Sequence, residues 1–94
     1  MTKKDSCRAL QVIPGVGASI ANDLWMQGYR VPSDLQGEDP EAMYNKQCEL
    51  QGVKVDRCLL YVFRCAVYFA SHAEHNPELL KWWNWKEKDS LSSF

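Results

Sequence analysis

Apolar residues recur along the chain at intervals of three and four, in stretches separated by glycine and proline. The first stretch predicts a helix from about Ser6 to Val12. It has to end there, because Pro14 disfavours helical geometry at Ile13 and offers no backbone N–H. Gly15 and Gly17 then permit tight backbone turns that side chains would obstruct. A second helix is predicted from near Gly17 or Ala18 to about Gln27, with Ile20, Ala21, Leu24 and Trp25 on its inner face. Gly28 stands where a left-handed C-terminal cap is expected.

Further along, Val31-Pro32-Ser33-Asp34-Leu35 predicts a short helical turn with Pro32 at its start. Asp39-Pro40-Glu41 is a clearer signal: a cap, a proline at the first helical position, and an acid near the positive end of the dipole. The helix it opens carries Met43, Tyr44 and Cys48, reaches Leu50 and stops at Gly52. The next, from about Asp56 to His72, is the longest. Leu59–Phe63 and Cys65–Ala70 make it apolar on more than one face, the mark of a central helix. Asn76-Pro77-Glu78 repeats the cap-proline-acid start for a last helix holding Leu79, Leu80, Trp82, Trp83 and Trp85. The tail from about residue 87 is expected to be flexible. No stretch sustains two-residue alternation between turn signals. The predicted fold is all-α, a compact bundle of about five short helices in one domain over residues 1–94.

Charge narrows the partners. The 94 residues hold 11 basic and 12 acidic side chains, a formal net charge of −1. Dedicated duplex binders carry a marked basic excess, so tight charge-driven binding to nucleic acid is disfavoured. Lys3, Lys4 and Arg8 do cluster near the start, against Asp5 alone. No apolar run approaches the roughly 20 residues that cross a bilayer, and the charged N-terminus has no apolar stretch behind it. A cytoplasmic protein without membrane contact is expected. Its four cysteines, Cys7, Cys48, Cys58 and Cys65, are then expected to be reduced thiols, and those of the central helix to be buried.

The Pro14-Gly15-Val16-Gly17 string offers binding chemistry, with nothing catalytic about it. Two residues without side chains let backbone N–H groups face outward at a helix start, which carries unsatisfied donors and partial positive charge. Such a site suits a phosphate oxygen. Contacts of that kind carry no base information. Val12, Ile13, Val16 and Ile20 are expected to hold the two helices together behind the turn.

The pattern Leu10-x-x-Ile13-Pro14-Gly15-Val16-Gly17-x-x-x-Ala21-x-x-Leu24 resembles the helix-hairpin-helix motif of DNA repair and recombination proteins, within a SAM-like architecture. Gly28-Tyr29-Arg30-x-x-x-Asp34-Leu35 looks like its usual continuation, with Val31 where a serine or threonine cap is customary. Asp39-Pro40-Glu41, the string Asp56 to Tyr68, and Pro77 to Trp85 extend the likeness. Over most of residues 8–87 the chain resembles the small bacterial pathogenicity-locus family, whose members are often labelled mitomycin resistance proteins. The resemblance implies a fold and supplies no reaction. Read through the motif, the nucleic-acid contacts fall on the amides of Gly15, Val16 and Gly17, with Ala18, Ser19, Lys3, Lys4 and Arg8 nearby. A second, degenerate hairpin is a further reading around Leu50 to Asp56, with Gly52 between two helices and Lys54 and Arg57 close by.

Other chemistry is thin. Cys58, Cys65 and His72 are spaced by seven, one stripe of a helix, but each step rises about 10 Å and one ion cannot bridge it. No metal or other cofactor is expected. His72 and His75 are expected to interact with the negative end of the long helix. No nucleophile, base and orienter come together in sequence, and no catalytic residue is assigned. Trp82 and Trp85 are expected to cover the core, whereas Trp83, between Lys81 and Lys86, is a candidate for stacking on bases or for anchoring a protein partner. Two classes of function stay open. One is weak, sequence-independent DNA binding by a non-enzymatic module; the other is a protein-interaction domain using the tryptophan-rich end.

Overall fold

A computed structural model of the chain describes residues 2–85. Four α-helices, α1 (Lys3–Leu10), α2 (Ala18–Met26), α3 (Pro40–Gln51) and α4 (Cys58–Ser71), are joined by three 3₁₀ turns, Pro32–Leu35, Pro77–Leu80 and Trp82–Trp85. No strand occurs among the described residues.

Local signals explain most boundaries. Asp39 caps α3, its carboxylate accepting the Glu41 N–H at 3.0 Å behind Pro40. Asn76 does the same for Glu78 at 3.0 Å. Gly28 (φ +105°) ends α2, with the Tyr29 N–H returning to the Leu24 carbonyl at 3.1 Å and the Gly28 N–H to that of Trp25 at 3.0 Å. That bond pair satisfies carbonyls that a helix end otherwise leaves open. No side chain of Val31 can cap the first 3₁₀ turn. Asp34 instead accepts the Arg30 and Val31 amides at 2.9 and 3.2 Å.

Three expectations are corrected. The first helix starts at Lys3, not Ser6, because Thr2 and Asp5 form a reciprocal capping box, and it ends at Leu10. The long helix starts at Cys58, since Asp56 lies outside it and accepts the Cys58 N–H at 2.9 Å. The last predicted helix is broken in two at Lys81, whose backbone is extended. There Asn84 Nδ2 donates to the Glu78 carbonyl and Trp85 Nε1 to that of Leu79, both at 2.7 Å. Side chains take the carbonyls that a continuous helix would use.

α4 is the central element. It packs against α3, against the Pro32–Leu35 turn and against both C-terminal turns, burying Leu60, Phe63, Cys65 and Ala66 completely. α1 packs on α2 and adds Leu10, Ile13, Ala21 and Leu24 to the same core. Gln27 Nε2 ties the end of α2 to α3, donating to the Met43 carbonyl and to Gln47 Oε1 at 3.0 Å each. Val12 and Leu50 do not join the core; they are 62% and 48% exposed. Of the cysteines of α4, Cys65 is buried and Cys58 is exposed, against the expectation that both line the interior. No described helix is long and apolar enough to cross a membrane. The expected flexible tail and Lys86 lie outside the described residues.

Candidate functional site: the Pro14–Gly17 turn and the tryptophan segment

α1 and α2 run in opposite directions. Lys3, at the start of α1, places its ammonium 4.9 Å from the Trp25 ring near the end of α2. Between them the chain reverses within a few residues. The Val16 N–H donates to the Ile13 carbonyl at 3.1 Å across Pro14 and Gly15, and Gly15 sits at φ +85°. Proline followed by a residue with positive φ is the pattern of a type II turn, which glycine enters at little cost. Ile13 and Val16 anchor the turn from below, at 1% and 5% exposure.

Gly17 is the N-cap of α2, extended at φ −94° and ψ −171°, and supplies no side-chain acceptor. Its carbonyl takes the first helical bond, from the Ala21 N–H at 2.9 Å. Among the described residues, the amides of Gly15, Gly17, Ala18 and Ser19 meet no acceptor, and all four residues are exposed. The first turn of α2 carries no acidic side chain. The unpaired Ala18 and Ser19 amides lie at the positive end of the α2 dipole, an arrangement that favours an oxyanion. Val16 departs from the sequence expectation. Its amide is spent inside the turn and its side chain is in the core, so it shapes the turn and presents nothing.

The cations are less well gathered than the sequence suggests. Lys3 and Lys4 sit at the far end of α1, roughly 10 Å along its axis from the turn. Lys3 shares the Trp25 ring with Arg30, whose guanidinium carbon lies 4.5 Å from the centroid. Only Arg8, exposed in the last turn of α1, stands at the turn's end of the helix pair.

The tryptophan segment folds back onto this turn. A Cβ built on Gly15 would lie 3.1 Å from Trp82 Cδ1. Trp82 is half-buried against the core, and Trp83 meets it edge to face, with centroids 5.7 Å apart and 51% of Trp83 exposed. Trp85 is half-buried beside Tyr68, and Arg64 holds its carbonyl at 2.9 Å. Lys81 is exposed and paired with Glu78 at 3.3 Å, a surface pair of little energetic weight. The turn and the tryptophan segment thus adjoin through Trp82 and Gly15. Nothing local in sequence announces the contact between Trp82 and Gly15; the only hint is a glycine doing duty at a turn that also needs clearance.

Elsewhere the chemistry is structural. Cys58 stands by the Asp56 carboxylate, and its amide and thiol hold that carboxyl below its ordinary value. Burial pushes the Cys65 thiol up to about 11. His72 Nδ1 faces the Tyr68 carbonyl at 3.0 Å, and His75, stacked on Phe69, faces the Phe69 carbonyl at 2.8 Å. Among the described residues, no three His, Cys, Asp or Glu side chains gather closely enough to hold a metal. The loop between α3 and α4 borders a shallow groove of about 560 Å³, with Tyr44, Cys48, Lys54 and Arg57 in its wall. It does not repeat the first turn. Tyr44 donates to the Val55 carbonyl, Cys48 Sγ accepts the Val55 N–H at 3.4 Å, and Asp56 already occupies the Cys58 amide at the start of α4.

Neither the curated proteins nor the solved structures include a match to this chain. A family model described as "Pathogenicity locus" matches residues 3–90, nearly the whole chain and both parts of the surface above. The chain therefore belongs to the pathogenicity-locus family.

Proposed function

We propose that the protein is a non-enzymatic, cytoplasmic helix-hairpin-helix module of SAM-like architecture that contacts DNA backbone weakly and without sequence preference. The observation that carries this reading is the uncapped start of α2: Gly17 offers no side-chain acceptor, and the amides of the exposed residues Gly17, Ala18 and Ser19 meet no acceptor among the described residues. The residue pattern around Pro14 and the antiparallel pairing of α1 with α2 support it. A net charge of −1, with Lys3 and Lys4 at the far end of α1, keeps the expected affinity low.

One observation favours a second reading, a protein-interaction surface. Trp83 is large, apolar and 51% exposed, the kind of side chain that anchors a partner. Salt separates the two. Labelled duplex and single-stranded DNA are titrated with the protein at several salt concentrations. For about two phosphates engaged, affinity should fall on the order of tenfold between 50 and 200 mM salt. Apolar docking would hardly respond. Absence of binding at low salt would overturn the DNA reading.

A further inference from the structure

We infer that Trp82 is a positioning residue for the Gly15–Gly17 turn, so that the C-terminal tryptophan segment, fixed on α4, acts as a strap holding the turn in the conformation whose amides face outward. The inference rests on the proposed nucleic-acid reading only for its consequence in binding; the strap itself is argued from packing.

Gly15 needs to be held. A glycine at φ +85° is unstrained but also free to go elsewhere, since both halves of backbone space are open to it. Ile13 and Val16 fix the turn from the core side. The three atoms nearest a Cβ position on Gly15 all belong to the Trp82 side chain, with Cδ1 at 3.1 Å and Cβ and Cγ at 3.7 Å. No other glycine in the described residues has anything within that distance.

The strap has fixed ends. Trp85 Nε1 and Cys65 Sγ both donate to the Leu79 carbonyl, at 2.7 and 3.5 Å, and Arg64 donates to the Trp85 carbonyl at 2.9 Å. Cys65 and Arg64 belong to α4, so the segment on either side of Trp82 is tied to the central helix. Trp83 takes no part in this. It meets Trp82 edge on and is 51% exposed. The break at Lys81 that ends the preceding turn allows Trp82 to face Gly15 while Trp85 returns to α4.

The test compares the full chain with W82A, W82F and W83A by ¹⁵N relaxation and amide spectra, with circular dichroism as the check on folding. W82A should keep its helical signal while the order parameters of Gly15 and Gly17 drop from about 0.85 to below 0.6. W83A should leave both unchanged. Should W82A fail to fold, W82F carries the decision: its shift changes should be confined to residues 15–17 and the strap. A folded W82A with an equally ordered turn, or a W82F whose turn amides superimpose on the wild type, overturns the inference. If the turn-competent fraction falls to about a tenth, DNA affinity falls about tenfold with it. Wild-type protein that binds no DNA would sink the proposed function, whereas the relaxation data would still decide on the strap.

Discussion

Trp82 lies across Gly15, its Cδ1 3.1 Å from where a Cβ would stand, and so joins the last described turn of the chain to the first. Glycine meets two demands at that position: a positive φ and clearance for an indole. Gly17, two residues on, meets neither. Its backbone is extended and nothing lies within 4 Å of its Cβ position.

That difference predicts unequal losses for the same substitution. Gly15→Ala forces a side chain into left-handed geometry and against Trp82, and should cost at least about 1–2 kcal/mol. Gly17→Ala should cost only about 0.5 kcal/mol or less, since the poorer N-cap is offset by the smaller conformational freedom of alanine in the unfolded chain. Denaturant unfolding of the two variants measures both. Equal losses would contradict the geometry.

Ser6 Oγ is buried, with Ser6 1% exposed, and has no hydrogen-bond partner among the described residues. Removing an unpaired buried hydroxyl relieves its desolvation, and alanine is the better helix former. Ser6→Ala should stabilise the fold by about 0.5–1 kcal/mol, seen as a rise of a few degrees in Tm.

Thiol labelling should follow burial. Cys58 is exposed, Cys7 and Cys48 are partly covered, and Cys65 is buried with its ionisation pushed up to about 11. Native protein should react at Cys58 first and at Cys65 only on unfolding. The raised value also sets a pH dependence. Cys65 keeps its proton when folded but loses it from about 9 upward when unfolded, so its contribution to stability is complete below about 9 and is lost as pH rises to about 11. Cys65→Ser should flatten that alkaline decline.

Acid acts through Asp56, whose carboxylate accepts the Cys58 N–H at 2.9 Å at the start of α4. Its folded value lies below the ordinary 3.8, first because of that amide and then because of the Cys58 thiol. The stabilisation is therefore present above about pH 4 and is lost as pH falls through the folded value. Asp56→Ala should be less stable than wild type at neutral pH, and the gap should narrow in an acid series followed by circular dichroism.

The parts legible in the sequence are those decided by a few neighbouring residues. Asp39-Pro40-Glu41 and Asn76-Pro77-Glu78 cap as their spacing implies, Gly28 turns α2, and the apolar breadth of α4 marks it as central. Errors arise where a side chain competes with the backbone or where distant segments meet. The Thr2–Asp5 box starts α1 early. Asn84 and Trp85 take carbonyls from what looked like a helix. Val16 reads as a donor in the motif, but its amide closes the turn onto the Ile13 carbonyl. The antiparallel pairing of α1 and α2 carries Lys3 to Trp25 and away from Gly17. Trp82 reaches Gly15 through tertiary packing alone, which no periodicity encodes.

Phosphate capture by the open amides at the start of α2, as proposed, makes Gly17→Asp the decisive variant. An aspartate N-cap can accept the Ser19 or Ile20 amide and suits the helix dipole, so the variant should fold as well as wild type or better by a few tenths of a kcal/mol. The same carboxylate fills the donor site and repels a phosphate. Titration of both proteins with labelled DNA at low salt should show salt-sensitive binding by wild type and none by a fully folded Gly17→Asp. Equal binding by the two would rule out phosphate capture at this helix start.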